Sequence, residues 1–181
     1  MLGLHWARGV RTSHARVQWH HGPEFSELLE QETEAAREAL KKYGRLVLLG
    51  ASAGGSLTVN VFHEVRRADP NADIYGITLS AWLRVGDPAA LEQAAMVRAR
   101  RGPSPSFMHS VEHCDQTAVP GLSEADKVRL LTGIPPHDQT VPTDCMDIAG
   151  VEVWDIPVEG HIPSIAYGAL HAHVAIDELV A

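Results

Sequence analysis

The chain has 181 residues, enough for one domain with a substantial core, and its 45% hydrophobic and 21% charged residues are ordinary for a globular protein. A formal net charge of −8 excludes nucleic acid as an expected partner, because such a surface repels a phosphate backbone. No apolar stretch reaches membrane-spanning length, and residues 1–22, MLGLHWARGVRTSHARVQWHHG, lack the continuous apolar core of a signal peptide; the expected setting is cytoplasmic, away from any membrane.

In chain order, HARVQW (14–19) is short and compatible with a strand, and HHGPEF (20–25) turns. From about Glu24 to Tyr43 the spacing predicts a helix, with Leu28, Leu29, Ala36, Ala39, Leu40 and Tyr43 as its apolar stripe. Acids crowd its first half and Lys41 and Lys42 its end, which suits the helix dipole; Gly44 is a fitting stop. RLVLLG (45–50) is a continuous apolar run of strand length and predicts a strand covered on both faces. GASAGG (50–55) turns into a helix over 55–68, which ends near Asp69 and Pro70. ADIYGITLS (72–80) predicts a second buried strand, DPAALEQAAMVRARR (87–101) a helix broken by GPSPSF, KVRLLTGIP (127–135) a third strand and VEVWDIPVEG (151–160) a fourth. A last helix is expected from about Ile165 to Leu179. Strands alternating with helices throughout predict a single α/β domain over 1–181, with a mainly parallel sheet flanked by helices on both faces.

The GASAG stretch sits where the first strand gives way to a helix, and ligands of parallel sheets bind beyond the C-terminal strand ends. Its G-x-S-x-G form is that of a nucleophile elbow, a sharp turn that lifts a serine Oγ off the sheet edge. Gly50 and Gly54 are small where strand and helix nearly touch, and the Ala53 N–H at the helix start can face a developing oxyanion. A plain glycine-rich turn has the same composition. A phosphate loop does not, since no lysine follows the glycines. A nucleophilic serine needs a base and the base an orienting acid. HDQTVP (137–142) places Asp138 after the third strand, and EGHIPS (159–164) places His161 after the fourth. All three residues thus fall on one sheet edge, in the order Ser52, Asp138, His161.

Together the elbow GASAGG, the acid loop HDQTVP and the histidine loop EGH resemble the three catalytic loops of the α/β-hydrolase superfamily, over roughly residues 45–181. The resemblance implies a minimal α/β-hydrolase-like three-layer sandwich. It also implies Ser52 as nucleophile, His161 as general base and then acid, and Asp138 as its orienter. The activity it implies is a serine hydrolase, carboxylesterase-like, that cleaves carboxylic esters or related acyl compounds through an acyl-enzyme without cofactor or metal. The family's second oxyanion donor comes from an early loop; GLHWARG (3–9) is the best match and offers Trp6, or His5. Only 44 residues precede Arg45, so the family's first two or three strands have no counterpart. A short sheet leaves an edge strand to be covered, which leaves room for a homo-oligomer. Residues 82–122 occupy the family's lid position, where Trp82, Met96, Phe107 and Met108 are candidates to line an acyl pocket or to be plain core.

Rival readings stay open at this stage. Asp115, in HCDQTAVP (113–120), and Asp144 compete with Asp138 as the acid. Eleven histidines, among them His20 and His21, His109 and His113, and His171 and His173, raise a metal-dependent hydrolase, although no HExxH signature is present. Arg98, Arg100 and Arg101 read as a solvated helix face, with a basic patch that attracts an anionic substrate as the alternative. Two cysteines, Cys114 and Cys145, make no disulfide framework and are expected as reduced thiols. The alternative to an esterase is a hydrolase-fold protein with little catalysis that serves as a binding module.

Overall fold

The computed structural model describes residues 24–89, 92 and 105–180, together with 13, 17 and 19. The expected strand over 14–19 and most of the 87–101 helix therefore lie outside the described residues, as do His5, Trp6, His20, His21, Met96 and the three arginines 98, 100 and 101.

The first helix, α1, is Phe25–Tyr43. It buries Phe25, Leu28, Thr33 and Ala36 and ends at Gly44, whose φ of 81° places it in the left-handed region while its N–H reaches the Leu40 carbonyl at 2.8 Å. Strand β1 is Leu46–Ala51, helix α2 is Ala53–Ala68 and strand β2 is Ile74–Leu79. Helix α3, Pro105–His113, runs on through a wider turn at Cys114–Ala118. Strand β3 is Leu130–Ile134, strand β4 is Glu152–Asp155 and helix α4 is His161–Leu179.

The four strands form one sheet in the order β1-β2-β3-β4, and every neighbouring pair is parallel. Because side chains alternate across a strand, the two faces can be read from the packing. Leu46 and Leu48 of β1, Ile74 of β2 and Leu130 of β3 join Leu57, Phe62 and Val65 of α2 and Phe25 and Leu28 of α1. Val47, Ile77, Leu79 and Leu131 point the other way and meet Tyr167, Ala175, Ile176 and Leu179 of α4. Helices thus cover both faces of a parallel sheet, an α/β three-layer fold. Close approach is made by small residues. A Cβ on Gly76 would meet Leu130, Thr58 and Phe62, and one on Gly168 of α4 would meet Leu79.

β2 is buried along its whole length, as its unbroken apolar run predicts, but β1 is not covered on both faces. Leu49 is 44% exposed. Among the described residues β1 pairs on one side only, and α4 packs on β2 and β3. β3 is shorter than expected because Glu124–Lys127 forms a helical turn, with Ser123 and Asp126 capping each other reciprocally. α4 begins four residues earlier than the periodicity suggests, with His161 as its first residue; Pro163 is tolerated there because first-turn amides have no helical acceptor. Among the described residues no helix is long and apolar enough to cross a membrane.

Candidate active site

With all strands parallel, their C-terminal ends share one edge, and three predicted side chains meet there. Ser52 immediately follows β1, with φ 53° and ψ −121°. A left-handed conformation at a non-glycine residue is costly and persists only where surroundings enforce it. Here the enforcement is visible. The Ser52 N–H donates to the Leu79 carbonyl of β2 at 2.9 Å, and the Ser52 carbonyl accepts from the Gly55 N–H at 3.1 Å. On the inner side of the bend a Cβ at Gly50 would run into Thr58 Oγ1 and the Gly54 carbonyl, so only glycine lets strand and helix come this close. Thr58 Oγ1 itself donates to the Gly54 carbonyl at 3.0 Å and tightens the first turn of α2.

Asp138 lies in the loop after β3. Its Oδ1 accepts the N–H groups of Thr140 at 2.7 Å and Val141 at 3.0 Å, the local bonding that Asp favours in turns. Its Oδ2 faces His161 Nδ1 at 2.8 Å. The two loops are also tied through their backbones, since the Gly160 N–H donates to the His137 carbonyl at 2.7 Å. Gly160, at φ 88°, makes the turn that starts α4 and aims the His161 ring at Ser52, whose Oγ lies 2.9 Å from Nε2. The Asp138 side chain is fully buried and that of His161 is 9% exposed. Burial by itself would raise the Asp138 carboxyl; the hydrogen bonds from His161, Val141 and Thr140 outweigh it and hold the carboxyl below its ordinary value. An ionised Asp138 accepts the Nδ1 proton, which leaves Nε2 as the acceptor for the serine hydroxyl.

Ala53 is the first residue of α2, and its N–H is among the amides that no helical carbonyl can reach. Trp6, the expected second donor, lies outside the described residues. Trp82 and Phe107 are 1% and 2% exposed and pack with Ala53, Val111, Val141, Cys145 and Met146; Met108 is partly buried against the same group. A separate groove of about 350 Å³, between the start of α1 and α3, contains none of the three site residues.

The rival acids go elsewhere. Asp115 sits in the turn after α3, where its Oδ2 accepts the Val85 N–H at 2.9 Å and its Oδ1 faces Arg84 at 3.8 Å; Asp144 is exposed. His109 and His113 do share helix α3 despite the prolines upstream, but His113 Nδ1 faces Asn60 Oδ1 at 3.1 Å and its ring packs on Phe25. His171 stacks on Tyr167 and lies 2.9 Å from the Tyr167 carbonyl. Among the described residues no group of three or more His, Cys, Asp or Glu is placed to hold a metal ion. Cys114 and Cys145 are free and buried, and desolvation pushes the Cys145 thiol up to about 11. The sequence reading missed Ser80, at the end of β2, whose Oγ lies 2.7 Å from Ser164 Oγ in the first turn of α4. Both residues stand in stretches already singled out, yet no spacing rule connects a strand end to a helix 84 positions away.

No protein-family model matches the chain, and no curated protein is significantly similar to it in sequence. Among solved structures it is similar to a monoacylglycerol lipase from Paleococcus ferrophilus, with a TM-score of 0.49 and 12% identity over 84% of this chain and 75% of that one. It is also similar to an alpha/beta hydrolase enzyme from the metagenome of lagoon sediments at Mar Chica, Morocco, with a TM-score of 0.46 and 11% identity over 88% of this chain and 74% of that one.

Proposed function

We propose that the chain is a serine hydrolase that cleaves carboxylic esters or related small acyl compounds through an acyl-enzyme on Ser52. The observation that carries this reading is the unbroken hydrogen-bonded line from Ser52 Oγ through His161 to Asp138, 2.9 Å and 2.8 Å long. Ser52 Oγ attacks the substrate carbonyl carbon while His161 Nε2 takes its proton. The carbonyl oxygen becomes an oxyanion beside the Ala53 N–H, at the positive end of α2. The tetrahedral adduct then collapses; the C–O bond to the alcohol breaks, and His161 returns the proton to that leaving group. Water, deprotonated by His161, attacks the acyl-enzyme, releases the acid and restores Ser52. Through both halves Asp138 stays ionised and stabilises the imidazolium that forms twice per cycle.

Hydrolysis of p-nitrophenyl esters of graded acyl length tests the reading. The expected result is turnover that favours short chains and disappears in Ser52→Ala. Turnover of none of them by folded protein, or turnover that survives Ser52→Ala, counts against it.

A further inference from the structure

All four strands end in a polar residue on the same sheet edge: Ser52 after β1, Ser80 after β2, Asp138 beyond β3 and His161 beyond β4. The proposed reaction uses three of them and leaves Ser80 without a task. Ser80 is fully buried and has φ 46°, the left-handed region again. Its N–H donates to the Gly133 carbonyl of β3 at 3.0 Å, and its Oγ lies 2.7 Å from Ser164 Oγ. Ser164, equally buried, donates its own proton to the His161 carbonyl at 2.9 Å. One hydroxyl has one proton, so the direction is fixed: Ser80 donates to Ser164, and Ser164 donates to His161.

The start of α4 has need of such a tie. Its cap residue is Gly160, which offers no side-chain hydrogen bond, and the strand leading into it, β4, is mostly exposed. Ile162, beside His161, is 71% exposed. The outer side of the first turn is thus unpacked, and its hold on the protein comes through the buried His161 and Ser164. Against this, the end of β2 is buried and already grips the other half of the site, since the Leu79 carbonyl accepts the Ser52 N–H. We propose that Ser80 and Ser164 are positioning residues for His161: their hydroxyl relay clamps the first turn of α4 to the strand end that pins Ser52, so that base and nucleophile share one anchor. The kinetic half of this proposal rests on the serine-hydrolase reading; the geometric half concerns the His161–Asp138 bond alone. Catalytic geometry is sensitive enough for the clamp to matter, because a displacement of about 1 Å costs roughly 10²-fold in rate.

The test uses Ser164→Ala, Ser80→Ala and Ser80→Gly, the last of which relieves the left-handed backbone while removing the hydroxyl. Two quantities are read on variants shown by thermal melting to be folded: the downfield proton resonance of His161 Nδ1–H, and the rate at which a fluorophosphonate modifies Ser52. The expected result is a broadened, faster-exchanging Nδ1 proton in each variant and inactivation slowed about tenfold. Ser80→Ala combined with Ser164→Ala is expected to be no slower than the worse single change, because both remove one relay. A resonance unchanged from wild type in all three variants overturns the proposal, whatever their melting temperatures. Wild-type labelling with unchanged rates in the variants overturns it and leaves the hydrolase reading intact. Failure of the wild type to label, with a resonance that still depends on Ser80 and Ser164, defeats the hydrolase reading and keeps the clamp.

Discussion

At the scale of single residues, the proposed function rests on who donates to whom. Asp138 accepts two backbone N–H groups on Oδ1 and His161 on Oδ2, so its charge is held where the imidazole needs it. Asp138→Asn keeps the shape of this arrangement but presents an N–H to His161 Nδ1. The ring then turns to the tautomer that carries its proton on Nε2, where it cannot accept from Ser52. The expected outcome is a fall in esterase turnover of about 10⁴-fold with little change in KM. Steady-state kinetics on a short-chain p-nitrophenyl ester measures it. These three residues were legible in the sequence because each follows a strand in a short stretch with its own chemical signature. Ser80 was not, because a serine at a strand end has no signature until a partner from another element arrives.

At the scale of elements, the elbow and the two loops after β3 and β4 show what local sequence can and cannot say. The words HCDQTAVP (113–120) and HDQTVP (137–142) nearly repeat, yet the first is wound into the helical turn after α3 and the second is an open loop. Context decides. The first follows a helix and buries Cys114 and Ala118, whereas the second follows a strand and wraps its backbone around the Asp138 carboxylate. The early start of α4 was hidden for a related reason, since Pro163 reads as a breaker unless one knows that it falls in a first turn. The elbow, in contrast, was readable from its G-x-S-x-G spacing between an apolar run and a helix; the close approach expected at both glycines holds at Gly50, whereas a Cβ on Gly54 would meet nothing within 4 Å. Gly50→Ala tests those sterics: the added methyl would overlap Thr58 Oγ1 and the Gly54 backbone, and backbone cannot swing aside as a side chain can. The expected result is a loss of about 2 kcal/mol or more in unfolding free energy, with a larger fractional loss of activity as Ser52 shifts. Urea denaturation and turnover on the same sample give both numbers.

For the whole molecule, the parallel sheet explains why residues far apart in sequence come together, and its charges set how it responds to acid. Asp138 and Asp126 both have carboxyls held below the ordinary value. For each, burial opposes this and hydrogen bonds win, from His161 and two amides at Asp138, and from Ser123 and Arg66 at Asp126. Arg66 ties α2 to the capped turn before β3 through a 2.6 Å bond to Asp126, and to the loop before β2 through a 3.1 Å bond to the Ala72 carbonyl. A carboxyl whose folded pKa is depressed adds stability above its unfolded pKa, about 4, and loses it as pH falls through the folded value. The midpoint of urea unfolding is therefore expected to hold near neutrality and to fall steadily below about pH 4. Asp126→Asn should lower the midpoint at pH 7 and flatten part of that acid limb; an unaltered acid limb would remove Asp126 from the account. The layered α/β architecture behind all this was plain from the alternation of buried runs and amphipathic helices. The partial exposure of β1, which is the outermost strand among the described residues, was not, because an apolar run looks the same there as in the middle of a sheet.

Whether Ser52 is an activated nucleophile can be tested without knowing the natural substrate. The measurement is exposure of the purified protein to a fluorophosphonate, with the adduct located by peptide mass spectrometry in wild type, Ser52→Ala and His161→Ala. An activated Ser52 gives an adduct on Ser52 in wild type, none there in Ser52→Ala, and one formed far more slowly in His161→Ala. Folded wild-type protein that stays unmodified at high probe concentration, or is modified elsewhere, would contradict it.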